Sequence, residues 1–244
     1  MKLKHLHKID PIIIYQDDDI IALNKPSGLL SLHDRDQRDT SLIDLLRKYD
    51  PNATLCHRLD RETSGVIIAA RSQEVYREIA VQFEKRKVDK TYYAIVQGSH
   101  HFRDHVIDLP LSITSRGKSK VDHRRGRPSR TSVESTEIFK HYTAVECKPK
   151  SGRLHQIRIH LASVNAPLAG DETYGGKYPY MSDIVYKYNK GRGKEERPMI
   201  HRVALHAYRI KFELKGKTHD IEAPLSDDIE ILLKLLRKND ALPA

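Results

Sequence analysis

One run of the chain, Gly65-Val66-Ile67-Ile68-Ala69-Ala70, is short, uncharged and rich in β-branched residues. Such a run predicts a strand buried within a sheet. Directly ahead of it stands a dense charged stretch, His57-Arg58-Leu59-Asp60-Arg61-Glu62-Thr63-Ser64-Gly65. A carboxylate at the edge of a buried strand, between Arg58 and Arg61, is expected to be ionised and fixed in place. An aspartate in a loop more commonly caps a turn. The rest of the chain decides between the two.

Around this centre, strands and helices alternate without the regular βαβ order of a doubly wound sheet. Residues 11–15 and 20–24 predict two strands joined by the acidic turn Asp17-Asp18-Asp19, and Lys25-Pro26-Ser27-Gly28 turns the chain again. Thr40 or Ser41 caps a helix over 42–49 that Pro51 stops, and Ser72 caps a second over 73–87 with Val75, Ile79 and Phe83 inward. Residues 88–98 are β-rich, 132–140 and 142–148 predict a hairpin, and 151–162 a loop entering a helix. A strand over 203–214 and a helix over 226–238 close the pattern. The predicted class is α+β, a mixed and largely antiparallel sheet with flanking helices, in one domain over residues 1–244.

No apolar run approaches the roughly 20 residues that span a bilayer, and the basic N-terminus has no apolar signal core behind it. The expectation is a soluble, cytoplasmic protein with no membrane partner. Its 2 cysteines, Cys56 and Cys147, lack metal or redox spacing and are expected to be small buried hydrophobes.

The net charge of +10 points to polyanions. Its distribution is uneven: Arg116, Lys118, Lys120, Arg124, Arg125, Arg127 and Arg130 face the single acid Asp122 within 115–130. A second run holds Lys187, Lys190, Arg192, Lys194 and Arg197. Both stretches are expected as solvated loops, free to settle on a phosphate backbone.

Several chemistries fit poorly. His155 and His160 lie five apart, about 140° around a helix, unlike metal ligands at i and i+4. Ser64 near His57 and Asp60 lacks a Gly-x-Ser-x-Gly elbow. Asp60 and Glu62 are too close in sequence for the opposed carboxylates of a glycosidase. On the helix after Gly152, Arg158 shares the inward side with Leu154 and Leu161, which makes it the candidate for a buried ion pair.

At this point a family resemblance joins the separate features. Residues 57–65 resemble the H-R-L-D-x-x-T-S-G signature of RluA-type pseudouridine synthases. Lys90-Thr91-Tyr92-Tyr93-Ala94 resembles the family's K-x-Y-x-A segment, and residues 152–160 its G-R-T-H-Q-I-R-V-H segment. Asn24-Lys25-Pro26-Ser27-Gly28, Pro167-Leu168-Ala169-Gly170-Asp171 with Tyr174-Gly175, and Leu205-His206-Ala207 fit further segments in the family's order.

The resemblance implies a catalytic domain with a central RNA-binding cleft, needing neither metal nor cofactor. It implies isomerisation of uridine in ribosomal or transfer RNA: the bond from nitrogen 1 to the ribose breaks, the base turns, and carbon 5 takes its place. Asp60 matches the catalytic carboxylate; the resemblance leaves open whether it attacks the sugar, adds to the base or removes a ribose proton. Arg158 matches the arginine that pairs with that carboxylate. Tyr92 matches the tyrosine that stacks on the target base, and Arg58 the arginine that fills the place of the flipped-out uridine. His57 and Thr63 are expected to support the loop. Leu154 departs from the family's Thr or Ser. The separate N-terminal RNA-binding domain of many relatives is not expected, so the basic loops are expected to grip the RNA, with the protein a monomer.

Overall fold

The computed structural model describes residues 8–33, 40–115, 117–189, 191 and 195–242. The chain divides into two compact units, Met1–Tyr92 with His206–Ser226, and Tyr93–Leu205 with Asp227–Ala244.

The first unit is built on β1 (Ile13–Gln16), β2 (Ile20–Lys25), β3 (Thr54–Leu55), β4 (Ser64–Ala70), β11 (Leu205–Leu214, from His206 on) and β12 (Lys217–Glu222). The acidic turn between β1 and β2 forms because Asp17 Oδ1 accepts the amides of Asp19 and Ile20, at 2.9 and 2.8 Å. Strand β4 is buried at every residue. It pairs antiparallel with β2, Ile20 opposite Ala70 through Lys25 opposite Gly65, and β3 adds to it at Thr54 and Leu55. At its start it also runs parallel to β11, Ser64 opposite His206 and Gly65 opposite Ala207. Antiparallel β12 then extends β11.

Two helices carry their apolar sides to this core. In α1 (Leu42–Tyr49) Leu42, Ile43, Leu45 and Leu46 are buried, and Asp44 Oδ2 accepts from both the amide and hydroxyl of Ser41. In α2 (Gln73–Glu84) Val75 and Ile79 are buried and the Ser72 hydroxyl accepts the Val75 amide. This helix ends earlier than expected: Arg86 turns into the left-handed region at φ 58°. There its amide and that of Lys87 close the last turn on Phe83 and Gln82. Strand β12 is unforeseen, because only His219 and Ile221 of its side chains face inward among charged neighbours.

The second unit contains the end of β5 (Asp89–Gln97, from Tyr93 on), β6 (His105–Asp108), β9 (Arg130–Ile138) and β10 (Tyr142–Pro149), in the order β5-β10-β9-β6. The β9–β10 hairpin matches its expectation, with a register shift at Ala144/Val145. Helix α3 (Gln156–Ser163), the short α4 (Met181–Ile184) and α5 (Asp227–Asn239) complete the unit. In α5 Ile229, Leu232, Leu233 and Leu236 are buried.

The basic segment differs from the solvated loop expected. Residues 111–113 (β7, Leu111–Ile113) and 119–121 (β8, Ser119–Val121) pair as an antiparallel hairpin. Residues 122–127 fold back as a turn, and Arg130 opens β9. Arg116, and Lys190, Arg192 and Lys194 of the second basic run, lie outside the described residues.

Candidate active site

In the first unit the candidate carboxylate sits on a turn whose backbone is held from outside. The turn closes through the Thr63 amide on the Asp60 carbonyl, 3.1 Å. The Gly28 amide donates to the Arg61 carbonyl at 2.7 Å, the Arg61 Nε returns a bond to the Gly28 carbonyl, and the Ser27 hydroxyl donates to the Glu62 carbonyl at 2.7 Å. Ser31 Oγ both donates to the Leu59 carbonyl and accepts the Leu59 amide, at 2.8 and 3.0 Å.

Lys25 is the clamp at the centre of this arrangement. Its side chain is fully buried, and Nζ donates to the carbonyls of Pro26, Leu29 and Arg61 at 3.1, 2.8 and 3.2 Å. An ammonium has three N–H donors, and a buried one is tolerated only when they are satisfied. The sequence reading gave Lys25 nothing beyond a place in a turn. A lysine beside Pro and Gly carries no periodic signal of burial, so only the match to the family's opening turn marked it.

Gly65 explains the glycine that ends the motif. Its φ is +114°, and an added Cβ would lie 2.2 Å from the Ala207 carbonyl oxygen. Ser64 is buried and bonded to His206 Nδ1 at 2.8 Å, with His206 Nε2 near the Ala223 carbonyl at 3.3 Å. That is a strand-to-strand tie rather than an accessible nucleophile. His57 is likewise a support: Nε2 accepts the Ile68 amide at 3.1 Å, and its ring packs on Phe83 at 4.9 Å. Burial, with a smaller push from Lys90, drives its pKa down to about 3, so the ring is neutral.

With the backbone so fixed, Asp60 is half-buried and Arg58 exposed. Tyr92 is half-buried and packs against the core of the same unit. Burial raises its phenol pKa first, and the Asp60 charge raises it further, so the ring stays un-ionised close to the carboxylate.

In the second unit Arg158 is buried, as its helical side predicts. Its Nε and Nη2 grip Asp171 Oδ2 and Oδ1 at 2.7 and 2.6 Å, a bidentate pair on a carboxylate that sequence reasoning had not singled out. The Arg158 guanidinium lies over the Tyr174 ring, 5.2 Å from its centroid. Tyr174 Oη in turn accepts the Ser119 amide and meets His155 Nδ1, each at 2.9 Å. The late Pro-Leu-Ala-Gly-Asp and Tyr-Gly segments thus serve to set Arg158. Gly170 between them has φ +79° and stands 2.2 Å, by an added Cβ, from the Arg202 carbonyl.

The remaining candidates are structural. His160 is fully buried, with Nδ1 on Thr131 Oγ1 at 2.9 Å and Nε2 facing Ser129 Oγ and the Leu109 carbonyl. Burial pushes the Cys56 thiol up to about 12 and raises Cys147 as well, so neither is poised as a nucleophile. Among the described residues no group of three or more His, Cys, Asp or Glu is placed to hold a metal ion, and no helix is long and apolar enough to cross a membrane.

Comparison with known proteins identifies the family. The family model described as RNA pseudouridylate synthase matches residues 19–163. The ribosomal large subunit pseudouridine synthase C of Yersinia pestis is 34% identical over 246 residues, covering 98% of this chain and 73% of that protein. The synthase D of Neisseria meningitidis is 34% identical over 235 residues, covering 92% of this chain and 61% of that protein. Among solved structures, human RNA pseudouridylate synthase domain containing 4 superimposes with a TM-score of 0.71 at 22% identity, over 94% of each chain, a likeness of fold. With its motifs in order and a family match across more than half its length, this chain belongs to the RluA-type RNA pseudouridylate synthases, isomerases that convert uridine in RNA to pseudouridine.

Proposed function

We propose that this synthase modifies specific uridines of structured ribosomal RNA, with Asp60 as the reacting carboxylate. The ribosomal target follows the names of the relatives from Yersinia pestis and Neisseria meningitidis, which favour it over transfer RNA. A ribosomal substrate in turn favours action in the cytoplasm.

The supporting observation is the clamped turn, which holds Asp60 at a place where its charge acts on Tyr92. In the isomerisation the N1–C1′ bond breaks, the uracil turns, C5 bonds to C1′, the C5 proton leaves and N1 gains one. Each route open to the acid needs it ionised and positioned. Tyr92 supplies a flat, neutral ring on which the base stacks. Arg58, exposed beside the turn, takes the place of the flipped uridine. Arg158 is assigned to the support of the site by its motif match, and the Asp171 pair favours a fixed fork. Lys118, Lys120, Arg124, Arg125, Arg127 and Arg130, with Arg116, are assigned to RNA binding by their charge.

Tritium release from carbon-5-labelled uridine in ribosomal RNA tests the assignment. Asp60→Ala is expected to abolish release while RNA binding persists; release at the wild-type rate would reject Asp60. Tyr92→Phe is expected to keep most activity and Tyr92→Ala to lose it, and equal rates would count against stacking.

A further inference from the structure

We propose that the second unit contains a built pocket for a single phosphodiester of the RNA backbone, formed by Arg125, Arg127 and Arg153. The proposal rests on the reading that the substrate is RNA, and it narrows the grip from a basic segment to three side chains. These arginines line a concavity of about 430 Å³, whose apolar parts are Leu111, Ile113 and Leu154. Among the described residues no carboxylate lines it.

The hairpin and its turn explain why the arginines converge. Asp122, the only acid of residues 115–130, spends its carboxylate on the turn: Oδ1 accepts the amides of Arg124 and Arg125 at 3.2 and 3.0 Å, and Oδ2 the Ser112 hydroxyl at 3.0 Å. The Gly126 amide closes on the Asp122 carbonyl at 2.8 Å. Arg127 and Leu111 then exchange both backbone bonds, at 2.8 and 3.0 Å. Gly126 has no room for a side chain, since a Cβ would stand 2.3 Å from the Asp122 oxygen and 2.7 Å from the Pro110 carbonyl carbon. Arg125 and Arg127, two apart across this glycine, therefore contribute to one concavity.

The opposite wall is tied to the same hairpin. Ser119 Oγ donates to the Leu154 carbonyl, and the Ser119 amide donates to Tyr174, the ring under Arg158. A phosphate seated here would be indexed against the helix that bears Arg158. Guanidinium forks match phosphate oxygens better than a diffuse field does. Arg124 and Lys120 carry the same charge on the same segment but do not line the concavity.

The test is the salt dependence of binding to the ribosomal RNA substrate. Arg125→Gln with Arg127→Gln is expected to weaken binding about tenfold at low salt and to reduce the slope of log K against log salt by about 0.7 per phosphate lost. Arg124→Gln removes the same charge outside the concavity and is expected to weaken binding by less than half as much as Arg125→Gln does. Gly126→Ala keeps every charge but displaces the turn, and is expected to resemble the double variant. Equal losses for Arg124→Gln and Arg125→Gln would overturn the pocket in favour of a diffuse basic surface. Wild-type RNA binding by the double variant, with loss only of affinity for inorganic phosphate, would assign the pocket to a free anion and overturn the RNA proposal. If the wild-type protein bound this RNA but formed no pseudouridine, the reading of function would fail while the slopes still decided the pocket.

Discussion

Two charge-dense connections, residues 57–65 in the first unit and 115–130 in the second, look alike in sequence and are built in opposite ways. The first is held by others: Lys25, Ser27, Gly28 and Ser31 bond its backbone, and its own Asp60 sits half-buried on the turn they fix. The second takes its turn from within: its one acid, Asp122, is consumed in shaping it, and the described arginines Arg124, Arg125, Arg127 and Arg130 are exposed. A reacting group must be fixed to a fraction of an ångström, which calls for buried hydrogen bonds from a neighbouring segment. A phosphate grip needs charge and approximate shape, which a local hairpin supplies.

The comparison breaks most visibly at Gly65. Gly65→Ala forces a Cβ against the Ala207 carbonyl in a left-handed backbone, so no native circular dichroism or cooperative melting is expected. A native melt would mean that the turn tolerates movement. Asp171→Ala removes the bidentate carboxylate from a buried guanidinium and is expected to cost about 3–5 kcal/mol in urea unfolding. A loss under 1 kcal/mol would show that the pair is dispensable.

Lys25→Met leaves three carbonyls without their ammonium. It is expected to cost about 2–4 kcal/mol and to lower kcat more than it raises Kd for RNA. A Kd effect without a kcat effect would reverse the contrast drawn here. The smallest effect concerns pH. His57 has a folded pKa of about 3 against 6.5 in the unfolded chain, so the unfolded state binds its proton first. Its contribution is whole above pH 6.5 and declines as pH falls toward 3. His57→Gln, which keeps an acceptor for the Ile68 amide, should flatten the acid limb of the stability profile, and an unchanged limb would place the titration elsewhere.

Much of this was legible in the chain. The β4 run, the β9–β10 hairpin, both capped helices of the first unit and the inward side of Arg158 all follow from periodicity and capping residues. What escaped were features whose signal is not local. Strand β12 hides its two inward residues among charges, and the β7–β8 hairpin has strands of three residues each, too short for a periodic signal, beside a basic stretch that resembles a loop. The bidentate pair of Arg158 with Asp171 was unreadable, because Asp171 lies beyond the helix in an irregular segment and only a fold brings the fork to it.

By itself the sequence determined the class of fold and the family, because strand burial, helix amphipathicity and a nine-residue motif are properties of neighbours along the chain. Tertiary structure decided which polar groups are buried and what satisfies them: Lys25 on three carbonyls, Arg158 on Asp171, Asp122 on its own turn. The physical reason is that a hydrogen bond between distant segments leaves no periodic trace. Its value comes from desolvation, which exists only once the segments have met.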